Sequence, residues 1–403
     1  MKKLIFPKGF LWGASSSSHQ VEGNTINDWT VWEKSQKRTV HLHSHNLTRE
    51  HKLENFISGR SADHYNLFKE DFTLASSLGH NATRISLEWS RIEPAEGSFD
   101  QKEIDHYKEV IATLRKLNIE PFVTLWHWPI PIWLANKGGW ESKEIIFYFK
   151  RFVEKMVTEL PEVKFWLTLN EPEIYSFMAY LGGVWPPQKK NLFSYIKALR
   201  HLKNAHNEAY DVIKKINPKS QVSIAFNLSS YEPVTFIDRI LVKLYSWWRN
   251  DRLIRQTRYK IDFIGLNYYF HSRIHFGRQK NLAQKRSDVN WHLHPEKILF
   301  TLRELKKYDK PIYITENGLA DAEDSHRKWF ITESLMAIHQ AIDEGVDVKG
   351  YLHWSLTDNF EWHQGFWPKF GLIKINYETL EREVRQSARF YEQICKNNYL
   401  EIE

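Results

Sequence analysis

The sequence is poor in anything that would staple, anchor or switch it. One residue of 403 is cysteine, Cys395, so no internal disulfide framework can form, and a reducing compartment suits the chain. No apolar run is long enough to span a bilayer. The opening Met1-Lys2-Lys3-Leu4-Ile5-Phe6 begins like a secretory signal, but Pro7 and Lys8 cut its apolar stretch short. A cytoplasmic location is therefore expected, with no membrane partner. Glycine-rich phosphate loops are missing, and no spacing of His, Cys, Asp and Glu supplies three framed metal ligands. No cofactor or metal is expected. The net charge of +7 comes from Lys and Arg spread over polar helix faces, not from a basic block, so it reads as solvated surface and no nucleic-acid partner is expected.

What is plentiful is apolar and aromatic. The chain is 42% hydrophobic and carries 17 tryptophans, enough for a large core. An indole face also stacks well on the C–H face of a sugar ring. Short β-rich runs at 10–14, 81–87, 120–126, 164–169, 221–227, 262–267, 311–316 and 349–355 alternate with helical patterns. Examples of the latter are 102–117, where Ile104, Tyr107, Ile111 and Leu114 recur at helical spacing, then 142–159 and 325–344. Strands alternating with helices predict a parallel sheet, and eight of them can close into a single (β/α)8 TIM barrel. No linker or repeat divides the chain, so residues 1–403 are expected to form one domain.

Barrels of this kind place their chemistry at the C-terminal strand ends. Here those ends carry Gln20, Arg84, His127-Trp128, Asn170-Glu171, Asn227, Asn267-Tyr268-Tyr269, Glu316 and Trp354, with Glu361-Trp362 just beyond. Eight polar groups converging on one rim point to a small-molecule site. Glu171 and Glu316, on the fourth and seventh strands, can meet across the mouth. One carboxylic acid to protonate a leaving oxygen and one carboxylate facing an anomeric carbon are what glycosidic cleavage needs. Arg84 can hold one ionised while mutual repulsion raises the pKa of the other. Gln20, His127, Asn170 and Glu361 are placed to bond sugar hydroxyls. Retention and inversion stay open at this point, because they differ in carboxylate separation.

Several motifs resemble glycoside hydrolase family 1. Thr168-Leu169-Asn170-Glu171-Pro172 is similar to its acid/base signature and Ile314-Thr315-Glu316-Asn317-Gly318 to its nucleophile signature. Phe10-Leu11-Trp12-Gly13 through His19-Gln20-Val21-Glu22-Gly23, Arg84 to Arg91, and Trp354 to Trp362 follow in the family's order. The resemblance implies a retaining β-glucosidase-type enzyme acting on a small glycoside or oligosaccharide. Glu316 would be the nucleophile and Glu171 first acid, then base. It implies that Gln20, His127, Trp128, Asn170, Glu361 and Trp362 hold the non-reducing sugar over Trp354, with Phe370 at the pocket edge. Arg84, Asn267 and Tyr269 would support the nucleophile. The intact Glu361-Trp362 pair implies a neutral sugar rather than a 6-phosphosugar.

Two stretches depart from the family pattern. Tyr231–Asp262 is abbreviated on the side that shapes the leaving group's site, and Gly365–Phe370 differs near the sugar's far edge. His41, His43 and His45 read as a solvated polar loop rather than a metal site. Glu88, close to Arg91, reads as half of a buried ion pair. Asn46-Leu47-Thr48 and Asn227-Leu228-Ser229 fit the glycosylation pattern, but a cytoplasmic chain would not be modified there. The competing functions are a catalytically silent sugar-binding barrel, which would be expected to lack a glutamate, and a transglycosylase using the same intermediate.

Overall fold

The computed structural model describes residues 2–44, 47–283 and 285–402. Its centre is a closed barrel of eight parallel strands. These are β1 Leu11–Ser15, β2 Ala82–Ser86, β3 Glu120–Thr124, β4 Phe165–Asn170, β5 Gln221–Asn227, β6 Ile264–Asn267, β7 Ile312–Asn317 and β8 Val348–Trp354. Each pairs with the next, and β8 closes on β1 through Gly350 opposite Leu11. Every expected strand is present, with ends shifted by two residues at most. Strands buried on both faces read as near-continuous apolar runs, which is why they were visible.

A helix follows each strand. They are α1 His64–Ser77, α2 Gln101–Lys116, α3 Ile145–Glu159, α4 Leu192–Ile216, α5 Asp238–Ser246, α6 Ile298–Leu305, α7 Arg327–Asp343 and α8 Gln386–Asn397. In α2 the Asp100 side chain caps the first turn by accepting from the Lys102 amide, and Ile104, Tyr107, Ile111 and Leu114 are buried. The low end of the barrel is plugged by aromatic rings, with Phe122 stacked on Phe165 at 4.3 Å and Phe263 and Tyr313 packed beside them. Strand Lys2–Ile5 pairs antiparallel with Tyr399–Ile402, which ties the two ends of the chain together.

The main addition to the plain barrel lies beyond β5 and β6. Ser230–Pro233 pairs in parallel with His271–His275, which pairs antiparallel with Arg278–Gln279. Helix α5 lies beside this small sheet, and of its nine residues only Asp238 is buried. Two readings need correction. His41 and His43 sit on a helix, Gln36–Ser44, not in a loop. His45 and Asn46 lie outside the described residues. Glu88 is buried but bonds to the Ser18 and Ser90 hydroxyls and the Asn27 amide at 3.1, 2.6 and 3.2 Å, while Arg91 pairs with Glu22 at 3.0 Å. Closeness in sequence suggested the pairing with Arg91. The turn Trp89–Ile92 aims that guanidinium elsewhere.

Candidate active site

The site is built where β4 and β7 end irregularly. Pairing of β4 with β5 slips between Leu167 and Asn170, and pairing of β7 with β6 slips between Ile314 and Glu316. Such slips re-aim side chains at a barrel rim. Glu171, at φ 43° before the short helix Pro172–Ser176, turns its carboxyl inward, and Trp128 (φ 87°) and Trp362 (φ 51°) share this left-handed backbone. For non-glycine residues each costs on the order of 1–3 kcal/mol, so the site carries backbone strain. Gly318 lets the end of β7 approach β8, because a Cβ there would stand 1.9 Å from the Trp354 carbonyl oxygen.

Between these strand ends lies a pocket of about 220 Å3. Three carboxyls face it, from Glu171, Glu316 and Glu361, among walls of Trp128, Trp354, Trp362 and Phe370. Arg84, fully buried, donates through Nη1 to Glu316 Oε1, through Nη2 to Asn170 Oδ1 at 2.7 Å and through Nε to Thr124 Oγ1 at 2.9 Å. The Tyr269 hydroxyl donates to Glu316 Oε2 at 2.8 Å. Among the described residues no cation forms an ion pair with Glu171. Its Oε1 accepts amide hydrogens from Asn267 at 2.7 Å and Asn227 at 3.0 Å. Asn267 was expected to serve Glu316. Its amide bonds to Glu171 and also lowers the pKa of Glu316, so it lies between the two. Thr315 fixes its orientation by donating to Oδ1 at 2.7 Å.

The carboxyls differ electrostatically for visible reasons. Burial lifts Glu171 to about 7, the charge of Glu316 adds to that, and the two amides and Arg84 oppose it. Burial also raises Glu316, but there Arg84 and the Tyr269 hydroxyl pull back toward the anion. Glu361 goes furthest, to about 8, through burial and repulsion from Glu316 and Glu171. Near neutral pH it therefore tends to keep its proton and can donate a hydrogen bond as well as accept one.

His127 is kept neutral by burial and by the nearby Arg84. Asn170 Oδ1 accepts from Arg84 and Asn267, so its amide nitrogen must be the group 2.9 Å from His127 Nε2. Nε2 is then the acceptor and Nδ1 carries the hydrogen, with no protein acceptor for it. A sugar hydroxyl could take that bond. Gln20 lies behind the wall rather than in it: its amide donates to Asn359 Oδ1 and the Phe360 carbonyl, both at 2.9 Å, and reaches Glu361 Oε2 at 3.4 Å. Trp128 donates its indole N–H to the Asn170 carbonyl at 3.0 Å. Sequence reasoning missed Trp185, Trp291, Phe270 and Met178, which also line the pocket. Trp185, Trp291 and Phe270 come from irregular segments with no periodic signature and Met178 from the helical turn Phe177–Leu181; the high tryptophan count was the trace of the two indoles alone. Among the described residues no cluster of three or more His, Cys, Asp or Glu side chains is arranged to hold a metal ion.

The chain also matches known proteins over nearly its whole length. The sequence model of Glycosyl hydrolase family 1 matches residues 2–243 and 249–400. Beta-glucosidase A of Thermotoga maritima is 32% identical over 451 aligned positions, covering 98% of this chain and 99% of the relative, so the relative carries segments that this chain of 403 residues lacks. A β-glycosidase from Pyrococcus horikoshii matches with a TM-score of 0.89 at 32% identity, over 100% of this chain and 97% of the other. A β-glucosidase from Thermotoga maritima in complex with glucoimidazole gives 0.89 at 29% identity, over 98% and 99%. With the barrel, its rim of carboxyls and these matches in agreement, the chain belongs to glycosyl hydrolase family 1.

Proposed function

We propose that residues 1–403 form one catalytic domain that removes terminal non-reducing β-D-glucosyl, β-galactosyl or β-fucosyl residues with retention of configuration. The observation that carries this reading is the unequal partnering of two buried carboxyls. Glu316, against Arg84 and Tyr269, is the anion and the nucleophile. Glu171, lifted to about 7, is the acid. Retention calls for carboxyls about 5–5.5 Å apart rather than the wider gap that admits a water, and the Asn267 amide, bonded to Glu171 at 2.7 Å and lowering the pKa of Glu316 too, is in keeping with two carboxyls that stand close. In the first step Glu316 attacks the anomeric carbon, and the Glu171 proton goes to the departing glycosidic oxygen. In the second, Glu171 takes a proton from water, which attacks the same carbon and releases Glu316.

The sugar would stack on Trp354, with its hydroxyls on His127, Asn170, Glu361 and Trp362. Gln20 acts from behind by orienting Glu361, and Phe370 closes the edge. A pocket of about 220 Å3 suits a single monosaccharide. The leaving group would lie toward Ile174, Met178 and Phe270, which the pocket shares with a larger outer groove. The single, buried Cys395 is in keeping with a reducing cytoplasm.

Azide tests the two roles together. In Glu171→Ala, a dinitrophenyl β-glucoside should still glycosylate Glu316, since that leaving group needs no acid. Azide, needing no base, should then give the β-glycosyl azide after two inversions. In Glu316→Ala, azide should attack the substrate directly and give the α-azide. NMR of the products decides, and the opposite pair of configurations would reverse the assignment.

A further inference from the structure

Helix α5 and the residues around it do what a packed helix does not: they turn apolar side chains outward. Phe236 is 78% exposed, Ile237 64%, Ile240 67%, Leu244 58%, Trp247 47% and Trp248 42%. Their spacing of three and four residues makes one continuous stripe, so this is a face and not scattered exposure. Arg239 and Lys243 are exposed on the same helix. From 233 to 250 the only acidic residue is Asp238. It is buried and already accepts from the Thr235 hydroxyl at 2.7 Å and the Phe276 amide at 2.8 Å. The face is thus apolar, tryptophan-bearing and cationic, and its carboxylate is out of reach. Asp251, just beyond it, is held by Lys307 and by the Tyr308 hydroxyl at 2.8 Å.

We propose that this face, centred on α5, docks on an anionic lipid surface. A helix that lies in a bilayer interface has this composition: Trp, Phe and Leu on one side, Lys and Arg beside them, and no long apolar run. The expectation of no membrane partner rested on the absence of a spanning segment, and an interfacial helix needs none. A second copy of the chain fits less well. Self-pairing of this face would bring the two sets of Arg239 and Lys243 together, and the exposed carboxylate beside the helix, Glu304, is engaged by the hydroxyl of its last residue, Ser246, at 2.9 Å, whereas anionic headgroups accept the cations and the acyl boundary accepts the stripe. The chain's net charge of +7 acts in the same direction. The location has a consequence for catalysis. Tyr245 of α5 and Arg249 beyond it line the outer groove of about 570 Å3 that shares Ile174, Met178 and Phe270 with the catalytic pocket. Docking therefore sets the leaving-group side of the enzyme at the lipid surface.

Sedimentation with vesicles tests this on the full chain, without reference to catalysis. Vesicles of phosphatidylcholine with about 30% phosphatidylglycerol should bind the protein at least tenfold more tightly than phosphatidylcholine alone, and about 0.5 M salt should weaken that binding. Ile240→Glu and Leu244→Glu should each weaken it tenfold or more. Arg239→Gln with Lys243→Gln should weaken it about 25-fold, from roughly fivefold per charge. All three variants should hydrolyse a soluble nitrophenyl β-glucoside at the wild-type rate, which shows that they are folded and separates this proposal from the catalytic one. Absence of binding to the anionic vesicles, or binding that Ile240→Glu leaves intact, overturns the proposal. So does a wild-type dimer in sedimentation equilibrium that Ile240→Glu dissolves, which would assign the face to a second copy.

Discussion

Replacing Glu316 by Gln removes one negative charge and keeps the shape, so it isolates what Glu316 does to its neighbour. Glu171 stands at about 7 because burial raises it first and the charge of Glu316 second. At about 5 Å, across an effective dielectric of ~20, one unit charge is worth roughly 3 kcal/mol, or about two pH units. With that repulsion gone, Arg84 and the amides of Asn227 and Asn267 still favour the anion, and burial alone still opposes it. In Glu316→Gln the Glu171 carboxyl should therefore titrate near about 5. The measurement is a 13C NMR titration of protein labelled at glutamate Cδ, with the resonance assigned by its loss in a second variant, Glu171→Gln. The consequence reaches into the cycle, because esterification neutralises Glu316 just as the Gln does. Glu171 would shed its proton on forming the intermediate and become the base that the second step needs. A Glu171 that stays at 7 in the variant would mean that the two carboxyls do not sense each other. One residue could not then serve as both acid and base.

Glu361 titrates at about 8 when folded, against 4.5 for the free group, so the native state holds the extra proton and stability falls as pH rises from about 4.5 to 8. Glu361→Gln should melt close to wild type at pH 5 and several degrees higher at pH 8, a difference of about 4 kcal/mol, while losing activity; equal melting curves at pH 8 would refute this. An unphosphorylated β-glucoside should exceed its 6-phospho counterpart in kcat/KM by about 100-fold, since a phosphate dianion entering a pocket with ionised Glu316 and two further buried carboxyls, Glu171 and Glu361, meets like charge and forces those two to stay protonated. A preference for the phosphosugar would show that these carboxyls do not govern which sugar the pocket accepts. Dialysis against a strong chelator should leave activity on an aryl β-glucoside unchanged. A loss restored by a divalent ion would show that the chemistry uses a metal.

The barrel was legible because its signal is redundant. Eight buried strands, each with a helix after it, repeat the same pattern, so an error of two residues at any end leaves the topology intact. The rim was legible because a strand end in this fold has one meaning, which placed Arg84, Glu171, Asn267 and Glu316 without coordinates. Loop contributions were not. Nothing periodic marks Trp185 or Trp291 as pocket walls, and both reach the site through irregular segments. The Glu88 error shows the limit of neighbour reasoning: Arg91 lies three residues away, yet its partner is Glu22, 69 residues distant. The outward face of α5 was hidden for a related reason. An amphipathic pattern says that one side is apolar, and only packing says whether that side is covered.

Proton counting links the electrostatics of the pocket to its chemistry. Three carboxyls, from Glu171, Glu316 and Glu361, face one small cavity, and the cation touching any of them is Arg84. His127 cannot add a second positive charge, because burial and Arg84 keep it neutral. One buried cation stabilises one buried anion, and ionising a second or third carboxyl meets both desolvation and repulsion. The three groups therefore titrate as a set whose neutral-pH state is one anion beside carboxyls that tend to keep their protons. Geometry favours Glu316 as the anion, since Arg84 and Tyr269 bond to it, whereas among the described residues the groups that bond to the Glu171 carboxyl are the Asn227 and Asn267 amides. On the proposed mechanism, a pocket with one carboxylate and one adjacent carboxylic acid is already charged for the first step of glycoside cleavage. The third group, Glu361, can donate as well as accept toward a sugar hydroxyl. Adding a cation should undo this state. A lysine accommodated near Glu171 would hold it ionised, leaving a pocket that still binds sugar but has no acid to release an unactivated alcohol.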